Sequence, residues 1–251
     1  DIGVAAAMNV PWLSVRRRPR IAVLATGDEL VMPGEPRTRD QIISSNSLAV
    51  AAYVRVLGGE AFNLGIAADD IEELRALILG ARGADVLVTI GGASVGEHDL
   101  VRRVLDEEGL ELAFHRVAMR PGKPVIFGRL GALAVLGMPG NPVSAGVSAV
   151  IFLKPAIEAM LGTLDDDGPP PTALLGCDLE GNDERQDYLR ATIANDADGN
   201  PVATPAGKQD SAMMAVFAAA DCLIVRPPHA AAAGAGERVE IVPLRRGLLS
   251  F

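Results

Sequence analysis

Aromatic rings are scarce in this chain. Only 4% of its 251 residues are Phe, Trp or Tyr. Its core must therefore be built from Val, Leu, Ile and Ala, and nucleobases would find no stacking platform. A basic excess is missing too. The formal net charge is −9, the wrong sign for holding a nucleic-acid backbone. A small anion is not excluded, because local donors override a global field at short range. There are two cysteines, Cys177 and Cys222, and three histidines, His98, His115 and His229. None has metal-ligand or redox spacing. Both cysteines fall in apolar, strand-like runs and read as buried free thiols of a cytoplasmic protein. No apolar run reaches the roughly 18 residues of a membrane span, and no secretory leader is recognisable. Neither membrane nor nucleic acid is expected as a partner. The P-loop and the GxGxxG fingerprint are also absent. The chain opens on Asp1 in mid-pattern, which reads as part of a longer protein.

What is present is a regular alternation. Residues 1–9 read as the end of a helix, and Arg16-Arg17-Arg18-Pro19-Arg20 as a solvated basic linker. Residues 21–25, 61–66 and 85–90 read as strands, with 125–127 and 132–136 as two more. Between and after them, residues 46–57, 70–80, 100–108 and 142–161 carry helical spacing. Asp69 and Asp70 stand where the second helix would be capped. Pro142 suits a first helical position and Gly162 a helix end. Strands alternating with helices imply an α/β domain: a mostly parallel sheet in three layers. The text then changes at Asp165-Asp166-Asp167-Gly168-Pro169-Pro170-Pro171, a linker composition. Short strand-like runs follow, with a hairpin signal at Asp198-Gly199-Asn200, so a small β-rich, barrel-like domain is expected. The divisions read as a preceding remnant at 1–17, an α/β domain at 18–163, a linker at 164–171 and a β domain at 172–251. From residue 164 on there are 7 Lys and Arg against 14 Asp and Glu, so most of the acidic excess sits in the β part.

Three signatures stand where a strand gives way to a loop or helix: Thr26-Gly27-Asp28-Glu29-Leu30, Gly91 to Asp99, and Gly137 to Ser144. Ligands of open α/β sheets bind there. Pro139-Gly140-Asn141-Pro142 leads into a helix whose free N–H groups and dipole favour an anion. Taken alone, it reads equally well as a tight turn capped by Asn141. Gly91-Gly92-Ala93-Ser94-Val95-Gly96 permits a backbone-lined pocket, while Asp99 reads as well as an N-cap. Glu29, Asp70 and Asp99 all fall at strand-to-helix junctions. If these share one edge, they could hold Mg²⁺ beside a phosphate. Otherwise they are solvated turns and caps. Arg120-Pro121-Gly122-Lys123-Pro124 sets two cations on a stiff turn, either a clamp for an oxyanion or a solvated turn. No nucleophile pattern emerges.

In this order the four segments resemble the molybdopterin molybdenumtransferases of the bacterial MoeA and gephyrin E-domain type. Gln186-Asp187-Tyr188-Leu189-Arg190-Ala191, Gly207-Lys208-Gln209-Asp210-Ser211 and Ala220-Asp221-Cys222-Leu223-Ile224-Val225 resemble that family's C-terminal β domain. The resemblance runs from about Arg18 to Gly247. It implies insertion of molybdate into the dithiolene of adenylylated molybdopterin, with AMP released in a Mg²⁺-dependent step. It assigns Glu29, Asp70 and Asp99 to acidic, metal-linked roles and Lys123 to catalysis. Molybdate would be held by Arg120, Lys123, Ser144, Arg190 and Ser211. Thr26, Gly27, Asn46, Gly91, Gly92, Ser94, Gly96, Pro139, Gly140 and Asn141 would cradle the pterin substrate. The family often has Lys at position 120, Asp at 44 and Asn at 221, where this chain has Arg120, Ser44 and Asp221. Two further N-terminal domains, a homodimer, and a site between the α/β domain of one subunit and the β domain of the other are implied. So are an upstream molybdopterin adenylyltransferase and recipient molybdoenzymes as partners. The competing expectation is a non-catalytic molybdopterin-binding module. The carboxylates and the β domain favour the enzyme.

Overall fold

The computed structural model describes residues 1–92, 100–164 and 168–244. A short exposed helix, α1 (Ile2–Ala7), precedes β1 (Arg20–Thr26), and the pair β2 (Leu30–Val31) and β3 (Ile42–Ile43) follows. Then come α2 (Asn46–Val56), β4 (Glu60–Ala67), α3 (Ile71–Gly80), β5 (Val86–Ile90) and α4 (Leu100–Glu107). Next are β6 (Glu111–His115), β7 (Met119–Arg120), β8 (Ile126–Leu130) and β9 (Leu133–Met138). The six-stranded sheet has the order β4-β1-β5-β9-β8-β6. Its first four strands are parallel, while β8 and β6 run antiparallel to their neighbours. Edge strand β6 is missing from the sequence expectation because it is largely exposed and has no buried-strand signature.

Strand periodicity explains the two cores. In β1, Ile21 and Val23 face one side with Tyr53 of α2, while Ala22 and Leu24 face the other with Leu74 and Ile78 of α3. The same alternation runs through β5 and β9, as the two-residue period of a strand requires. Each fully buried Ile or Leu here contributes on the order of 1.5–3 kcal/mol.

The long helix is one rod in three windings: α5 (Pro142–Ser148), a π turn over Ala149–Leu153, and α6 (Lys154–Leu161). Pro155 has no N–H for the ladder, and the turn just before it is the π-wound one. Gly162 ends the rod at φ 71°. Among the described residues one helix, Pro142–Leu161, is long and apolar enough to cross a bilayer by length and composition, although Lys154 and Glu158 interrupt its apolar run. However, 56% of its most apolar window is buried inside the protein, so its apolarity serves the core.

The remaining strands are β10 (Thr172–Leu175), β11 (Gln186–Asn195), β12 (Pro201–Pro205), β13 (Cys222–Arg226) and β14 (Arg238–Pro243), with α7 (Met214–Ala219) before β13. Strand pairing runs β12-β10-β14-β13-β11 and returns from β11 to β12, a closed five-stranded barrel. β13 is buried along its whole length because it serves two interiors. Cys222 and Ile224 point into the barrel, and Leu223 and Val225 join the core shared with α5. Burial pushes the Cys222 thiol up to about 12. Cys177 departs from the expectation, being exposed beyond the end of β10.

Candidate active site

Because β4, β1, β5 and β9 run parallel, their C-terminal ends share one edge. The loops leaving them line an open cleft of about 730 Å³ that includes Thr26, Gly27, Glu29, Asn46, Asp69, Gly91, Gly92, Pro139, Gly140 and Asn141. Its floor is tight. Gly91 has φ 92°, and a Cβ there would lie 2.6 Å from the Thr26 carbonyl oxygen. Its N–H donates to the Met138 carbonyl at 3.1 Å, tying the β5 and β9 loops. Asn46 at the start of α2 donates its amide to the Gly140 carbonyl at 2.6 Å, fixing a third wall. The Thr26 hydroxyl is buried and has no hydrogen-bond partner among the described residues, leaving a donor and acceptor at the floor of the cleft.

The acidic side differs from the spacing argument. Asp70 caps α3, its carboxylate accepting the Glu73 N–H at 2.9 Å, and it does not line the cleft. Asp69 does. Its N–H donates to the Asp28 carboxylate at 2.9 Å. Its own carboxyl is pushed up, first by burial and then by the charges of Asp28 and Glu29. The Glu29 carboxylate folds back over Gly27, into the space a Cβ would take. A signal for Asp69 was present: Asp70 stands three residues before Glu73, the spacing of a cap, which leaves its neighbour free. Among the described residues, no three His, Cys, Asp or Glu side chains converge on a metal position. Ser94, Gly96 and Asp99 lie outside the described residues.

The barrel closes the other side within the same chain. Asn141 occupies the N-cap position of α5, but its side chain makes no capping bond among the described residues; its amide donates to the Ser211 hydroxyl at 3.1 Å. The Ser211 carbonyl accepts the Val143 N–H at 3.0 Å, so the loop before α7 is stitched to the first turn of α5. Ala212 lines the cleft, and Ser144 is buried in that turn. Arg190 on β11 is 1% exposed, one of the largest fully buried side chains. One guanidinium nitrogen donates to the Asp210 carbonyl at 3.3 Å, while Nε has no partner among the described residues. Burial lowers its pKa, partly offset by Asp210. Gln209, which the sequence reading gave no role, brackets the Arg190 backbone, accepting its N–H and donating to its carbonyl, both at 3.0 Å. A buried guanidinium with an unused donor is expensive unless an anion completes it.

The cationic turn splits. Lys123 is exposed, one residue before Pro124, which lines the cleft. Arg120 is not part of the cleft lining and pairs with Asp187 of β11.

Comparison with known proteins matches these two halves. Residues 22–159 match the family described as "Probable molybdopterin binding domain", and residues 172–244 match the "MoeA C-terminal region (domain IV)". The chain is 32% identical over 245 residues to a molybdopterin molybdenumtransferase of Haemophilus influenzae, covering 97% of this chain and 60% of that one. It is 34% identical over 204 residues to molybdopterin molybdenumtransferase 2 of Mycobacterium tuberculosis, covering 78% of this chain and 50% of that one. A crystal structure of a molybdopterin biosynthesis MoeA protein from Pyrococcus horikosii superposes with TM-score 0.81 at 32% identity, over 96% of this chain and 58% of that one. The chain thus spans between half and three fifths of the length of these relatives.

Proposed function

The chain belongs to the MoeA-type family of molybdopterin-binding proteins, and from that premise we propose that it carries the site for inserting molybdate into adenylylated molybdopterin with release of AMP. The observation that carries the reading is Arg190. Its buried guanidinium has an Nε without a partner among the described residues and stands beside the loop that is bonded to the first turn of α5. We read it as an oxyanion position built from the Arg190 Nε, the Ser211 hydroxyl and the α5 start, next to the cleft residues Asn141, Pro142 and Ala212, although Arg190, Ser211 and Ser144 do not themselves line the cleft. Lys123 adds a mobile point charge and Ser144 a second hydroxyl. The backbone of Gly91, Gly92, Pro139 and Gly140 walls the cleft for the pterin phosphate, with Thr26, Gly27, Asn46 and Asn141 as polar contacts. Ser94, Gly96 and Asp99 keep the roles the resemblance implies.

Magnesium takes one or two carboxylates and completes its shell with water and substrate phosphate. Glu29 and Asp69 both line the cleft and are donors of that kind, with Asp69 taking the part that sequence spacing gave to Asp70. The Asp69 carboxyl is raised first by burial and then by the charges of Asp28 and Glu29, and a cation would relieve the second part. Bound there, the ion would neutralise phosphate charge as AMP leaves. The chain's own residues hold the two phosphates and the oxyanion in one orientation and keep the Arg190 end dry. The division into an α/β domain at 18–163 and a β domain at 172–251, pairing of two chains, and exchange with an adenylyltransferase and molybdoenzymes belong to the same proposal.

The test is AMP release from adenylylated molybdopterin with Mg²⁺, with and without molybdate. Molybdate-dependent release is expected. Pterin binding without release, by this chain and by the chain extended at its N-terminus, would leave only a binding module. The metal has its own readout without turnover: Mg²⁺ should raise the melting temperature of the wild type and not of Glu29→Gln.

A further inference from the structure

Arg120 was expected to clamp an anion, but its donors are already engaged. Nε donates to one Asp187 oxygen at 2.8 Å, and a terminal nitrogen donates to the other, a two-pronged pair. The other terminal nitrogen reaches Asp183 at 3.3 Å. The Asp187 side chain is 7% exposed and that of Arg120 47%, so the pair is half-buried and its two-pronged geometry, more than its charge, fixes the contact. The backbone joins at the same point: β7 pairs in parallel with β11, Met119 opposite Gln186 and Arg120 opposite Asp187. The Gln186 N–H donates to the Ala118 carbonyl at 2.9 Å. β7 belongs to the segment that leads from the α/β sheet into the Lys123 turn, while β11 is a barrel strand that carries Arg190 three residues later.

We propose, resting on Arg190 and Ser211 as an oxyanion site, that Arg120 is a positioning residue. Its fork on Asp187 latches the barrel to the α/β domain and sets where Arg190 and Lys123 stand relative to one another. Arg120 itself contacts no ligand. A lysine ammonium keeps the charge but has no planar fork, so Arg120→Lys loses the two-pronged geometry on Asp187.

Two readouts keep this apart from the reading it rests on. The first is amide exchange. In Asp187→Asn, the Gln186 and Val143 amides should exchange at least about 10-fold faster, because both mark the joint between the halves, while Val86–Ile90 stays protected. Unchanged exchange at the joint overturns the latch, whatever the protein binds. The second is calorimetric titration with molybdate alone. Asp187→Asn and Arg120→Ala should weaken binding alike, by about 10-fold or more. Arg120→Lys should fall between them and wild type, and the exchange Arg120→Asp with Asp187→Arg should recover much of the loss. Weakening in Arg120→Ala without weakening in Asp187→Asn overturns the proposal and makes Arg120 an anion ligand. If even the wild type binds no molybdate, the oxyanion reading fails, and the exchange experiment alone decides the latch.

Discussion

Replacing Gly91 by Ala tests the floor of the cleft with a single methyl group. Two effects add. At φ 92° an L residue sits in the left-handed region, which costs roughly 1–2 kcal/mol. The restricted unfolded chain returns about 0.4–1 kcal/mol of that. The new Cβ would also stand 2.6 Å from the Thr26 carbonyl oxygen. That atom is backbone of β1, an interior strand paired on both sides, so it cannot swing aside as a side-chain tip would. Overpacking of this kind costs about 1–3 kcal/mol. The expected loss is about 2–4 kcal/mol, a large share of a typical domain's stability. Gly34 supplies the control. It has φ 93° and nothing within 4 Å of its Cβ position, so Gly34→Ala should lose only about 0.5–1 kcal/mol by the same conformational arithmetic. Urea unfolding reads both. With a slope of about 2 kcal/mol/M, Gly91→Ala should move the midpoint down by about 1–2 M and Gly34→Ala by less than about 0.5 M. Equal shifts would refute the claim that the loop is pressed against β1 and would leave the cleft floor without its rigid support.

Arg190→Met should lose molybdate binding yet melt within a few degrees of wild type or higher, because it removes a buried guanidinium that is only partly bonded; retained binding by titration calorimetry would remove Arg190 from the site. Gly146→Ala should destabilise by about 1–3 kcal/mol in denaturant, because its Cβ would run into the Phe217 ring of α7, and Phe217→Leu in the same chain should recover part of the loss. For Asp69, the folded carboxyl titrates above its unfolded value, so the folded state holds the extra proton between the two. Its contribution to stability is thus lost as pH rises through the folded pKa. Asp69→Asn should match wild type in melting temperature at low pH and exceed it at pH 7. A variant less stable at pH 7 would show that the carboxylate is favourably paired.

Much of the frame can be read from residue patterns alone. Alternating strand and helix periods predict the α/β part, and Gly or Pro at their ends marks the loops at Thr26, Gly91 and Pro139 that line the cleft. Those signals are local: a strand buried on both faces, a helix stripe or a left-handed glycine is dictated within a few residues. The sequence determined which side chains were available, an acidic pair at 69 and 70, two cations at 120 and 123, and an arginine at 190. Tertiary structure decided their work. Strand order β4-β1-β5-β9 brought three loops to one edge. Capping of α3 took Asp70 and left Asp69 to the cleft. Closure of the barrel brought Ser211 to Asn141 across 70 residues and Asp187 to Arg120 across 67. Contacts at such separations leave no periodic trace in the chain. They arise because the two parts share one buried cluster, which takes in Val143 and Val147 of α5 and Leu223 and Val225 of β13.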